Sequence, residues 1–216
     1  MNPTMEFASF PPPQATPQPK VLNVGGNNKT IPLPPIFNGY EHLLLDIDPT
    51  GNPDVLCDAR ELTKLEPQQF DAIYCSHNLE HYWWHDVPRV LAGFLHVLKK
   101  PQGFAFIRVP DIQEVMKTAA QRGMEPDDVL YHTGAGVPIA ILDVLYGWRQ
   151  QIAQSGVDFF AHKTGFSPKL LNKTLYEAGF ARVYISSGNL EVRAMAFLDV
   201  PDAATRQKFG LPAVDS

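Results

Sequence analysis

The chain has 216 residues with 23 acidic and 18 basic side chains, a formal net charge of -5, so it lacks the basic surplus that holds a polyanion, which argues against nucleic acid as a partner. Its 44% hydrophobic and 19% charged composition suits one globular domain with appendages, and no apolar run reaches the roughly 20 residues that cross a bilayer, so no membrane span is expected. The start shows no basic segment followed by an apolar stretch, so no secretory signal is read and a cytoplasmic protein is expected.

Residues 1–19 contain Pro3, Pro11, Pro12, Pro13, Pro17 and Pro19 among few hydrophobes, which forbids an ordinary helix and predicts an arm or surface strap. Lys20 to Val24 reads as the first strand and runs into Gly25 and Gly26. His42 to Ile47 is a second buried strand, Asp54 to Leu56 a short third, and Phe70 to Ser76 a fourth. Their apolar runs are unbroken, as expected where both faces of a parallel sheet are covered. Cys57 and Cys75 sit in such runs as small buried hydrophobes, so no disulfide is expected.

From Asp86 to Lys100 the residues Val87, Val90, Leu91, Phe94, Val97 and Leu98 fall on helical spacing, with Asp86 as the expected N-cap. Pro101 and Gly103 end this helix, and Phe104 to Val109 is a fifth strand. A helix from about Ile112 to Arg122 precedes a turn-rich stretch from Gly123 to Gly165 with a helical segment near Ile139 to Ala153. Residues from about 111 to 165 are expected to form an inserted acceptor region or lid, because connections of that length usually serve binding. Ser167 to Gly179 then reads as a capped helix, followed by strands at Ala181 to Ile185 and Glu191 to Leu198, with a polar tail over 201–216. The domain proper spans 20–200.

This order predicts an α/β, Rossmann-like, mostly parallel seven-stranded sheet with helices on both faces. Ligands of such sheets sit beyond the carboxyl ends of the strands. Those ends carry Asn23, Gly25 and Gly26; Asp46; Asp58; and Ser76 with His77. A glycine pair alone is equally a turn, and a lone acid is more often a solvated cap. The series is more telling: backbone access, a carboxylate placed for ribose hydroxyls, and twelve residues later another placed for an adenine amino group. Pro32, Pro34 and Pro35 follow the glycines, so no helix N-terminus is available there to cradle a pyrophosphate, which disfavours a nicotinamide oxidoreductase.

The segments VLNVGGNNKT, LLLDIDP, LCDARELTKL and FDAIYCSHNLEHYWWHDVPRVLAGFLHVLKKPQGFAFIRVPD, with FSPKLLNKTLYEAGF, ARVYI and VRAMAFL near the end, resemble class I S-adenosylmethionine-dependent methyltransferases of the type 11 group. The resemblance implies S-adenosylmethionine as cofactor, with Asn23, Gly25 and Gly26 at its methionine end, Asp46 and Ile47 at the ribose, Asp58 and Ala59 at the adenine, and Ser76 and His77 beneath the sulfonium. It departs from the family at Asn23, where an acid is usual, and in the short glycine loop. The LYG segment and the terminal pattern are similar to those of bacterial enzymes acting on surface-polysaccharide or natural-product sugars, which implies a small-molecule hydroxyl acceptor. The alternative is a non-catalytic S-adenosylmethionine-binding partner protein.

His81 follows the fourth strand by five residues and is the first candidate for the group that takes a proton from the acceptor; His162, in the inserted region, is the second. A packing role for His81 is an equal reading. His81 and His85 stand four apart, but spacing fixes no third ligand, so no metal site is expected. Tyr131, His132, Tyr146, Trp148, Arg149, Phe159 and Phe160 are the other polar and aromatic side chains of the insertion.

Overall fold

The computed structural model describes residues 17–213. The arm read over residues 1–19 lies, as far as residue 16, outside the described residues. Strands β1 (Lys20–Val24), β2 (Glu41–Asp46), β3 (Val55–Leu56) and β4 (Ala72–Ser76) follow one another with only short 3-10 helices between them. Helix α1 (Val87–Val97) leads to β5 (Phe104–Pro110), and α2 (Ile112–Arg122) opens the insertion. That insertion holds the hairpin β6 (Val129–His132) and β7 (Pro138–Ala140), then α3 (Ile141–Tyr146) and α4 (Arg149–Ser155). Helix α5 (Pro168–Ala178), the antiparallel pair β8 (Arg182–Gly188) and β9 (Glu191–Phe197), and α6 (Ala203–Phe209) complete it.

The seven strands lie in the order β3-β2-β1-β4-β5-β9-β8, with β1 to β5 parallel and β9 antiparallel to both of its neighbours. Strand order reverses direction between β1 and β4, so the crevice for a ligand opens at their carboxyl ends. Alternate residues of each strand feed two cores. Leu22, Val24, Ile73, Cys75 and Ile107 face α1 and α5, whereas Val21, Ala72, Tyr74 and Phe104 face the other way.

The first face is covered by full helices, but the second is not. Pro32, Pro34 and Pro35 leave only a single 3-10 turn at Pro35–Phe37, whose Phe37 stacks on Phe104 with centroids 6.2 Å apart. The rest of that face is closed by α6, whose Phe209 ring lies 5.0 Å from that of Phe104. Residues 201–216, read as a polar tail, therefore contain a helix: Asp202 accepts from the Thr205 amide at its start and Gly210 ends it in the left-handed region. The helix is short and mostly exposed, and Phe209 is its anchor.

Two further expectations are corrected by the structure. The helical segment near Ile139 to Ala153 is two helices, because Gly147 takes φ +92 and breaks the run. Asp86 precedes α1 but caps nothing with its side chain; its carboxylate accepts from Arg60 Nη1 at 3.1 Å instead. Within the inserted region Val115, Leu130, Ile141 and Val144 from α2, β6 and α3 bury one another in a core of their own. No helix among the described residues is long and apolar enough to cross a membrane.

Candidate active site

A cleft of about 250 Å³ opens at the ends of β1, β2 and β3 and brings together Gly25, Asp46, Ile47, Asp58, Ala59 and His81. It arises because β2 and β3 both stop in Asp-led turns. Asp48 accepts from the Thr50 amide and Asp58 from the Arg60 amide, and each starts a 3-10 turn that exposes the preceding strand end.

Asp46 Oδ2 accepts from the Asn27 amide at 3.0 Å and Oδ1 from the Asp48 amide at 3.0 Å. The carboxylate thus orders the glycine loop and keeps its remaining lone pairs for a ligand, since each oxygen can accept more than once. Gly25, at φ +68, brings backbone to the cleft wall, and a Cβ there would meet Asn78 Nδ2 at 2.0 Å. Asp58 is less free. Arg60 donates to it through Nε and Nη2, the latter at 2.6 Å, and reaches on to Asp86. Burial would raise the Asp58 pKa, but the hydrogen bonds of Arg60 outweigh it and hold the carboxyl below its usual range.

Four of the expected residues do not line this cleft. Asn23 is buried at 3% exposure, donates to His42 Nε2 at 3.3 Å, and sits under Gly26, where a Cβ would come within 2.1 Å of its Nδ2. It shapes the glycine loop from below and is covered by it, whereas Gly26 lies partly exposed beside the cleft without lining it. Ser76 is outside the lining, and His77 points into a different cavity. The reason is backbone: His77 takes φ +49 and its amide donates to the Arg108 carbonyl at 2.8 Å, which turns its ring toward β9.

That second cavity, of about 320 Å³, is lined by His77, Tyr131, Asp143, Trp148, His162 and Glu191 among others, and shares Tyr131, Asn189 and Leu190 with a larger groove beside α2. Glu191 is its charged anchor. It accepts from His77 Nε2 at 3.1 Å, from Arg108 Nη2 at 2.6 Å and from Arg193 Nε at 2.5 Å. Burial opposes its charge, yet these donors lower its pKa to about 2. Burial likewise works against a charged His77, but Glu191 and the neighbouring Glu80 outweigh it and raise its pKa to about 9.

Between the two cavities stand His81, which lines the first, and His162, which lines the second, edge to face with centroids 4.8 Å apart. His81 directs Nδ1 at the Ala161 carbonyl and Nε2 at the His77 carbonyl, each at 3.1 Å. His162 Nδ1 donates to the Val144 carbonyl at 2.8 Å. Its position is fixed by a clasp between distant segments: the amides of Lys163 and Thr164 both donate to the Glu80 carbonyl, and the His162 amide donates to the Tyr146 carbonyl. His85 is exposed, and the chain between it and His81 is not one helix, so the four-residue spacing does not bring the two together.

The sequence reading missed Arg60, Asn78, Tyr82, Asp86 and Lys163 as lining, and Glu191, held by Arg108, as the charged anchor of the second cavity. Asn78 and Tyr82, four apart after the fourth strand, hydrogen-bond to one another and were within reach of a spacing argument. Glu191 and Arg108 were not, because antiparallel register alone brings them together.

The cleft suits a cationic, phosphate-free nucleoside ligand. Its lining acids are Asp46, Asp58, Asp86 and Asp158, whereas Arg60 is paired with two of them and Lys163 with Asp158 at 3.1 Å. No free basic side chain among the lining residues is left for a phosphate, while Tyr82, Trp83 and Phe159 add aromatic side chains to the wall.

Residues 42–107 match the family model described as a methyltransferase domain. No curated protein matches the chain. Among solved structures, a SAM-dependent methyltransferase from Archaeoglobus fulgidus is 16% identical over 84% of this chain and 86% of that one, with a TM-score of 0.50. One from Methanosarcina mazei is 14% identical over 86% and 95%, with a TM-score of 0.52. An O-methyltransferase family protein from Burkholderia thailandensis is 14% identical over 86% of this chain but 52% of that one, with a TM-score of 0.50. At such identity the likeness is one of fold, and the three share this chain's sheet.

Proposed function

We propose that this chain, a class I S-adenosylmethionine-dependent methyltransferase, methylates a hydroxyl of a small polar molecule such as a sugar or a natural product. The observation that carries the acceptor reading is the pair of cavities divided by His81 and His162: one takes the cofactor, and the other is a polar and aromatic chamber of a size for a small acceptor. Tyr131 and Trp148 supply flat apolar faces, while Asp143 and Glu191 supply acceptors for hydroxyl groups, a combination suited to a polyhydroxylated ring.

In this reading Asp46 holds the ribose, and Ile47 and Ala59 flank the adenine. Asp58 offers its remaining lone pairs to the adenine amino group, while Gly25 gives the methionine end access to backbone. The bound cofactor supplies an electrophilic methyl on a positively charged sulfur. What the chain supplies is alignment of the acceptor oxygen with that methyl, exclusion of water by the clasped 161–164 segment, and the histidine pair at the acceptor side, where the hydroxyl proton must leave. The test is a product assay with labelled cofactor against panels of sugars, nucleotide sugars and phenols. Transfer to oxygen supports the reading; transfer only to nitrogen or carbon acceptors overturns its acceptor class while leaving the cofactor assignment in place.

A further inference from the structure

We propose that Glu80, His81 and His162 form a binding site for one divalent transition-metal ion. Glu80 follows β4 in a 3-10 turn and is 1% exposed, and neither of its carboxylate oxygens accepts a hydrogen bond among the described residues. A buried carboxylate is costly, and proteins resolve it with a cation or with donors; here the charged neighbour is the His77 ring, which stands at ion-pair distance without a hydrogen bond. The nearest nitrogens are His77 Nδ1 at 3.5 Å and His162 Nε2 at 4.0 Å from Oε1.

The tautomer of His162 sharpens the point. Its Nδ1 faces the Val144 carbonyl, which only accepts, so in the neutral ring the proton sits there and Nε2 presents a lone pair to the Glu80 carboxylate. Two lone-pair groups thus face each other across a gap that a cation fills. His81 adds a third donor. Its Nδ1 lies 3.1 Å from the Ala161 carbonyl and its Nε2 3.1 Å from the His77 carbonyl, so a turn of the ring that keeps the first contact brings Nε2 onto an ion.

Donor atoms of the three residues all lie within 4.8 Å of one another. Ligands bonded at about 2.1 Å lie roughly 3 to 3.5 Å apart, so the widest pair closes by roughly 1.5 Å to form the set. The carbonyls of Val144 and Ala161 are placed as outer partners of the kind that fix a ligating histidine through its other nitrogen. Two imidazoles and one carboxylate select manganese-to-zinc ions over magnesium or calcium, and three protein ligands leave coordination positions open. Those positions fall between the two cavities. Use of an open position by an acceptor oxygen rests on the methyltransferase reading; the metal site itself rests only on these residues.

The competing occupant is a water molecule donating to both lone pairs, and one titration separates the two. Full-length protein is dialysed against a chelator and titrated with Co²⁺ by calorimetry and visible absorption, beside Glu80→Gln, His162→Gln and His85→Ala. The proposal expects one Co²⁺ per chain with ligand-field bands, affinity lowered at least about tenfold in Glu80→Gln and His162→Gln, and no change in His85→Ala, since even outer partners of a metal site cost about 10–100-fold. Glu80 is buried, so His162→Gln stands as the decisive variant if Glu80→Gln unfolds. Wild-type affinity no greater than that of His162→Gln, in folded protein, overturns the site. S-adenosylhomocysteine calorimetry on the chelator-treated protein reads the cofactor assignment separately: binding there with no Co²⁺ site refutes the metal alone.

Discussion

Gly147 and Phe160 lie so close that a Cβ on Gly147 would stand 2.0 Å from the Phe160 carbonyl oxygen. Gly147 also pairs with Ala161 in an isolated antiparallel bridge and holds φ +92. Both facts exclude a side chain, and both fix the strand of backbone that carries His162. Gly147→Ala is expected to lower stability by at least about 1–3 kcal/mol through backbone strain alone, read as a fall in denaturation midpoint. An unchanged midpoint would mean that the 158–162 segment moves aside at no cost.

Asp46→Ala is expected to weaken both S-adenosylmethionine and its demethylated product by about 1–3 kcal/mol, the cost of leaving hydroxyls without a charged acceptor. Calorimetry at matched folding decides it, and unchanged affinity removes Asp46 from the ribose. Asp58→Ala has a smaller binding effect, because its carboxylate is already committed to Arg60.

Glu191 sets an acid limit. Its pKa falls from 4.5 to about 2 in the folded chain, so the stability it contributes is complete above the ordinary value and is lost as pH drops through about 2. Glu191→Gln removes that dependence. Chemical denaturation at pH 6 and pH 3 is expected to show a larger loss for the wild type than for the variant, and equal losses would place the acid sensitivity in other carboxylates.

Helix α4 (Arg149–Ser155) buries none of its residues, whereas β5 (Phe104–Pro110) is buried along most of its length. Amides of α4 are expected to exchange with solvent well before those of β5. Equal protection in the ligand-free protein would show that this part of the insertion is not the one that opens.

His81→Ala is expected to keep affinity for S-adenosylhomocysteine and lower methyl transfer by roughly a hundredfold or more. Loss of cofactor affinity in proportion to rate would instead make His81 a packing residue, since its ring also bridges the His77 and Ala161 carbonyls.

Much of the sheet is legible because β1, β2 and β5 are short apolar runs closed by glycine, proline or acid, and the same punctuation exposes Asp46 and Asp58. Elements whose fate depends on distant partners are not. Glu80 looks like any acid in a polar turn until residues 161–164, some eighty positions later, fold over it. Asp86 has the composition of a cap, but Arg60 outcompetes the helix amides for its carboxylate. Asn23 occupies a strand end and so reads as a ligand contact, yet the loop that it supports covers it. Phe209 gives no periodic signal in a polar stretch, and its burial is set by the aromatic floor made of Phe104 and Phe197.

The place of β9 between β5 and β8 has a consequence for biosynthesis. Strand β5 ends at Pro110, but its second neighbour spans Glu191–Phe197, and the ring that covers Phe104 belongs to Phe209. As the chain leaves the ribosome, β1 to β5 emerge with one edge unpaired and one face bare, and they stay so until about ninety more residues have followed. Such a half-sheet is a template for pairing with other nascent chains. Release of soluble protein therefore depends on the last strand and helix arriving in time, and truncation before Phe209 is expected to send the product to aggregates rather than to a smaller folded form.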